Sequence, residues 1–310
     1  MTIQYIEPFS RGFSRMKKAL FQPFNLKKWF VVGFTAWLAG LLDGGHGGGG
    51  NNGNSFNGDF GDVLDAPYKA WMWLQENPEW TIAVMFGIAF LLFIFIVLTW
   101  ISSRGKFMFV DNVVHDRALV SQPWHDYSKQ GDSLFGWRII FGFISLTIVL
   151  AFLYQAWQKL YALYFDSFDE SIPWAFLIRT IILFILLLFV IGYIELLLNE
   201  FIVAIMYKHR ITAGQAWQKL LSIHSQHFAH FLLFAAFWLA LSILAFIMVA
   251  FGCLITCCLG LLLLIIPYIN AVLLLPFSYT FRAFSLEFLA QFGDDYTVFS
   301  NEENNITAVG

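Results

Sequence analysis

Six apolar stretches punctuate the chain, at residues 29–42, 80–101, 137–160, 172–206, 231–256 and 261–286. Most exceed the ~18 residues that mark a bilayer-spanning helix, so the pattern predicts membrane helices. The first is short, ~21 Å as a helix, and spans only with local thinning or flanking anchors. The fourth is longer than one crossing requires. Between the fifth and sixth lie only Cys257, Cys258, Leu259 and Gly260, which predicts a tight helical hairpin turning near Gly260. Pro267 and Pro276 predict kinks in the sixth helix.

The polar stretches between them carry a second pattern. FSRMKKALFQPFNLKKWF precedes the first apolar run, PWHDYSKQGDSLFGWRIIF the third and AWQKLLSIHSQHFAHFLLF the fifth. Each joins aromatic and basic residues to an aromatic that opens the next apolar run. That predicts an amphipathic helix lying on the membrane surface and then a transmembrane hairpin. The expected fold is therefore an all-α integral membrane protein of six transmembrane helices, built as three hairpins, each preceded by a cytoplasmic amphipathic interfacial helix. The expected domain is 1–290, with pseudo-repeats at 11–102, 115–207 and 214–288, a flexible Gly/Asn-rich outer loop at 43–65, and an acidic cytoplasmic tail at 291–310. Residues 66–75, with Trp71 and Trp73, are expected to return as an interfacial helix.

Charge sets the expected orientation. Arg11, Arg15, Lys17, Lys18, Lys27 and Lys28 fall before the first apolar run, Arg104, Lys106, Arg117, Lys129 and Arg138 between the second and third, and Lys208, Arg210 and Lys219 between the fourth and fifth. The opposite side holds Lys69 and Lys159. This bias predicts both termini inside. The outer loops are acidic, with Asp166, Asp169 and Glu170 in the second. Composition agrees with a membrane body: 59% of residues are hydrophobic and 13% charged, against ~25% charged in soluble domains. No long basic tract suggests nucleic acid. The three cysteines, Cys253, Cys257 and Cys258, sit in one apolar segment and form no disulfide framework. About 28 largely polar residues precede the first apolar run, unlike a cleaved signal peptide. Gly45–Gly50 matches a nucleotide-binding glycine pattern in letters alone, without a flanking strand. The sequon at Asn305 is expected to be silent in an inner tail.

Charges inside membrane helices are the candidate functional groups. Arg179 stands near the outer end of the fourth helix, Glu195 and Glu200 near its inner end, and Arg282 late in the sixth. Arg179 is expected to reach toward Asp166, Asp169 or Glu170, or to line a cavity. Glu195 or Glu200 is expected to pair with Arg282, as a structural tie or as a relay. His224, His227 and His230 recur every third residue before the fifth apolar run. They spread too widely on a helix for three ligands on one metal, and are expected at the headgroup interface. His115–Asp116 and His125–Asp126 are expected in solvated loop. No catalytic, cofactor or metal signature is present. Gly33, Ala36 and Gly40 offer small surfaces for close helix packing.

LFQPFNLKKWFVVGFTAWLAG followed by a polyglycine loop resembles the opening of an uncharacterised prokaryotic family of polytopic membrane proteins, a domain of unknown function. The resemblance implies a polytopic fold and a location in a prokaryotic inner membrane, and no activity. The organisation is also loosely similar to the membrane domain found beside glycerophosphodiester phosphodiesterases, without the catalytic domain. The expected function is a non-enzymatic membrane scaffold or envelope-associated factor. Its expected partners are the bilayer, anionic lipid headgroups and other proteins or copies of itself. Two alternatives stand beside it. One is a small-solute or ion transporter or channel using Arg179 and Glu195. The other is a lipid-acting enzyme drawing on Glu195, Glu200 and the three histidines.

Overall fold

The computed structural model describes residues 3–42, 60–165, 173–256 and 263–299. Residues 43–59 of the glycine-rich loop, Asp166, Asp169 and Glu170, the turn at Gly260 with Cys257 and Cys258, and the acidic tail from residue 300 on, with Asn305, lie outside the described residues, whereas residues 60–65, expected in the flexible loop, are helical. Described residues are almost wholly helical: α1 Ile6–Phe21, α2 Leu26–Ala39, α3 Phe60–Glu76, α4 Pro78–Val114, α5 Ser121–Asp126, α6 Ser128–Phe165, α7 Trp174–His209, α8 Ala213–Gln226, α9 Phe228–Ile255, α10 Pro267–Leu273 and α11 Leu275–Ala290.

Four of these helices, α4, α6, α7 and α9, are long and apolar enough to cross a membrane. A fifth crossing is added if α10 and α11, bent by 62° at Leu274, count as one broken span. That is fewer than the six expected. At 14 residues, α2 reaches ~21 Å, short of the ~30 Å hydrocarbon core. The break in the last run has the cause anticipated: Pro267 and Pro276 each stand in the first turn of a new helix, where proline needs no amide partner. Before the third run, by contrast, there is no separate surface helix. The six-residue α5 is followed at once by α6, which passes through Trp137 without interruption. Likewise α4 continues past Ile101 to Val114.

Chain contacts divide the molecule into two compact units. One comprises residues 49–97 and 139–193, the other 1–48, 98–138 and 194–310. In the first, the side chains of α4, α6 and α7 stay largely exposed, Phe86, Phe90, Phe143, Ile182 and Phe189 among them. Such uncovered aliphatic and aromatic surface is what helices bathed in lipid present. Within this unit the Trp157 indole N–H donates to the Leu64 carbonyl at 3.0 Å, and Phe152 stacks on Phe184.

The second unit has a conventional packed core. Phe201, Phe231, Phe234, Phe284 and Phe288 interlock, with ring centroids 4.6 Å apart for Phe234–Phe288 and 5.2 Å for Phe201–Phe231. Against α11 lies α1, presenting Pro8, Gly12, Met16, Ala19 and Leu20. Glycine is what lets the helices touch: a Cβ at Gly12 would stand 2.8 Å from the Phe284 backbone nitrogen. At Gly33 a Cβ would meet Val272 on α10 at 2.6 Å, and Ala36 is buried. So of the three small residues singled out, Gly33 allows a close helix approach.

Candidate functional site

All three buried carboxylates among the described residues, Asp111, Glu200 and Glu287, lie in the unit holding both ends of the chain. Each meets an arginine. The first cluster forms where α7 loosens into a π turn at Leu198–Ile202, with Val203 N–H donating to the Leu198 carbonyl. The turn carries Glu200 toward α11. There Arg282 Nη1 donates to Glu200 Oε2 at 3.2 Å and to the Asn199 carbonyl at 2.7 Å. Ser285 Oγ lies 2.6 Å from the same carboxylate oxygen. Arg282 Nε and Asn199 Oδ1 are buried without a hydrogen-bond partner among the described residues. π turns are rare and concentrate at functional positions.

The second cluster closes around Asp111 near the end of α4. Arg117 grips Asp111 Oδ2 through Nη2 at 2.7 Å and Nε at 3.0 Å. Tyr207 donates its hydroxyl proton to Oδ1 at 3.0 Å. The Nδ1 of His115 lies 3.2 Å from the Tyr207 oxygen and 3.3 Å from Oδ1. Tyr127 stacks on Tyr207 at 4.8 Å, and the Arg210 guanidinium covers the Tyr127 ring at 3.8 Å. Burial works against the Arg117 charge, yet the Asp111 carboxylate more than restores it, so its pKa stands above the ordinary value. Burial pushes the Tyr127 phenol up. Two residues beside this cluster, Asp116 and Arg210, have φ of 47° and 57°, the left-handed region that non-glycine residues seldom occupy. Asp116 is held there by Lys28 at 2.7 Å.

The third cluster ties α1 to α11. Arg15 Nε donates to Glu287 Oε1 at 2.6 Å, and Arg11 approaches the other oxygen at 3.9 Å. The Arg15 guanidinium also lies 3.8 Å from the Phe299 ring centroid.

Among the residues singled out from sequence, Glu200 and Arg282 are brought together. Glu195, half-buried on the same helix, has interactions of its own. Arg179 is exposed on α7. The histidines separate into different settings. His224 packs against Phe228 and Phe231, and burial lowers its pKa. His230 Nδ1 lies 3.0 Å from the Tyr5 hydroxyl. His227 faces Phe292 and borders a cavity of about 290 Å³ with Ile3, Gln226, Gln291 and Tyr296. No group of three His, Cys, Asp or Glu side chains placed to hold a metal occurs among the described residues.

The Asp111 cluster is absent from the sequence expectations; His115 and Asp116 stand in an exposed turn, as expected, yet the His115 ring reaches Asp111 and Tyr207. Asp111 and His115 stand four residues apart at the end of an apolar run, with Arg117 two further on. That spacing was the available signal; Tyr207, far along the chain, completes the site and gave none. Arg15 was likewise counted among surface cations, whereas it points inward at Glu287.

No curated protein and no solved structure matches the chain significantly. Residues 4–293 match the family model described as a family of unknown function, DUF7544, and the chain belongs to that family.

Proposed function

We propose that the protein is a non-enzymatic, multi-pass membrane scaffold. One observation carries this reading: each buried carboxylate is closed onto an arginine, 287 to 15 and 200 to 282 across remote parts of the chain, and 111 to its near neighbour 117 with the distant Tyr207 completing the cluster. A buried ion pair that is complete is a tie and a specifier of packing, whereas a catalytic or transport site needs a group left open to a substrate. The apolar, uncovered helices supply the membrane body. In this reading α2 and the bent α10–α11 pair are the first and last crossings of three hairpins, the basic face is cytoplasmic with both termini, and the membrane is a prokaryotic inner one. Lipid headgroups and further protein subunits, including copies of the same chain, are the partners.

The test is reconstitution of the full chain into sealed vesicles. A scaffold forms a defined oligomer by light scattering, passes ions and small solutes no faster than empty vesicles, and leaves phospholipid unchanged. Flux above that background, lost in Arg179→Gln or Glu195→Gln, would replace the scaffold by the transporter. Lipid turnover abolished by Glu200→Gln would replace it by the enzyme.

A further inference from the structure

The connection from α1 to α2 is a compact aromatic knuckle. Phe21 and Phe24 face each other in a backbone bridge. The Trp29 ring packs on both, with centroids 5.4 Å and 5.6 Å away, and its indole N–H donates to the Leu20 carbonyl at 2.8 Å. Asn25 caps α2 by accepting from the Lys27 and Lys28 amides. The turn is thus fastened from inside. Its outer side is not covered: Phe21 is 46% exposed, Phe24 57% and Leu26 61%. One and two turns back along α1, Lys17 and Phe13 continue the same stripe as Phe21, since residues four apart share a helix face. Phe13 is 50% exposed.

Three lysines flank these rings along the chain. Lys17, Lys18 and Lys27 are exposed, and none makes an ion pair among the described residues. Neighbouring cations do find partners: Lys28 takes Asp116, and Arg15 takes Glu287. Aromatic and aliphatic tips flanked by unpaired lysines fit one surface, a bilayer whose headgroups are anionic. The rings enter the headgroup–acyl boundary and the ammonium groups stay at the phosphates. A second protein would have to present both an acidic rim and an apolar hollow, whereas an anionic leaflet presents both everywhere. Because the knuckle is held in shape before contact, seating it orders few groups.

The geometry points to the α1–α2 knuckle as a built anionic-phospholipid anchor: Phe21, Phe24 and Leu26 insert, and Lys17, Lys18 and Lys27 bind the lipid phosphates. This rests on the membrane reading above and deepens it. It also narrows the interfacial role expected of the whole first helix to one end, because the remaining face of α1 is committed to α11.

The experiment uses the full chain in lipid nanodiscs, with the three native cysteines changed to serine and a spin label at Gln22→Cys, an exposed position between the two rings. Shielding of the label from an aqueous nickel complex is read in phosphatidylcholine discs and in discs with added phosphatidylglycerol. The label is shielded when phosphatidylglycerol is present. Each lysine near an anionic surface contributes about fivefold to the seated population. The triple variant Lys17→Gln, Lys18→Gln, Lys27→Gln therefore shifts the balance by about a hundredfold and returns the label to water. Salt of about 1 M does the same to the native chain. A label equally accessible in both lipids overturns the proposal, and so does shielding that survives the triple variant. A second label at Phe90→Cys on α4 separates the two readings. If it lies in hydrocarbon while Gln22→Cys does not, the anchor fails and the membrane protein stands. If it lies in water, the membrane reading itself fails.

Discussion

Replacing Glu200 by glutamine keeps the size of the side chain and removes its charge. Arg282, more than nine-tenths buried, then has no ion-pair partner among the described residues. In the native cluster the charges stand 3.2 Å apart, an attraction of about 5 kcal/mol at an effective dielectric of about 20. Part of that offsets the desolvation of both groups, so the intact pair contributes little net stability. The variant keeps the desolvation cost of Arg282 without the attraction, and breaking a buried pair from one side costs about 3–5 kcal/mol. The Asn199 carbonyl, 2.7 Å from Nη1, remains and places the loss toward the lower figure. For a chain of this size a loss of about 3 kcal/mol lowers the melting temperature by about 5 °C. Thermal unfolding of the purified protein in detergent, followed by intrinsic fluorescence, reads this directly. Arg282→Met alone leaves Glu200 buried and unpaired, and destabilises comparably. Glu200→Gln with Arg282→Met together recovers much of the loss, so the double-mutant cycle shows a coupling of at least about 2 kcal/mol. Additive losses, or a Glu200→Gln variant that melts with the native protein, would refute the claim that this pair fastens α7 to α11.

Gly12→Ala drives a methyl group into the α11 backbone and costs about 1–3 kcal/mol, while Gly87→Ala, with nothing within 4 Å of its Cβ position, leaves the melting temperature unchanged or slightly higher; the same unfolding assay compares them. Asp111→Asn strands Arg117 and weakens the Tyr207 bond. Arg117 is partly exposed and regains water, so the loss is about 1–2 kcal/mol, seen as a lower melting temperature and as faster proteolysis after α4. For His224, burial holds the folded pKa below the ordinary 6.5, so the unfolded chain takes up its proton first. Its contribution is complete above about pH 6.5 and is lost as pH falls through that value toward the folded pKa. Melting curves between neutral and mildly acidic pH show a drop, and His224→Phe makes that drop smaller.

The long apolar helices were legible because their signal is local: α4, α6, α7 and α9 each follow from an unbroken run of Leu, Ile, Phe and Val. Pro267 and Pro276 were legible as breaks for the same reason. What ran past the apolar segments was not. The polar ends 102–114 of α4 and 128–136 of α6 looked like connecting segments, yet packing makes each continuous with its membrane-length helix. The ion pairs divide similarly. Glu200 and Arg282 could be matched because each is conspicuous in an apolar stretch. Arg15 could not be matched to Glu287, because one lies among other basic residues and the other just past the last apolar run. Only the contact of α1 with α11, permitted by Gly12, brings them together.

The π turn at Leu198–Ile202 amounts to one residue more than a regular helix would hold over the same length. Each residue advances an α-helix by about 100°, and the wide turn absorbs the extra one, so that α7 keeps its phase on either side while Glu200 is pushed out toward Arg282. Deleting one position within the turn would let the helix close into regular hydrogen bonding without rotating its later part against its earlier part. The surplus residue can therefore be lost without refolding the rest of α7, and what goes with it is the tie to α11.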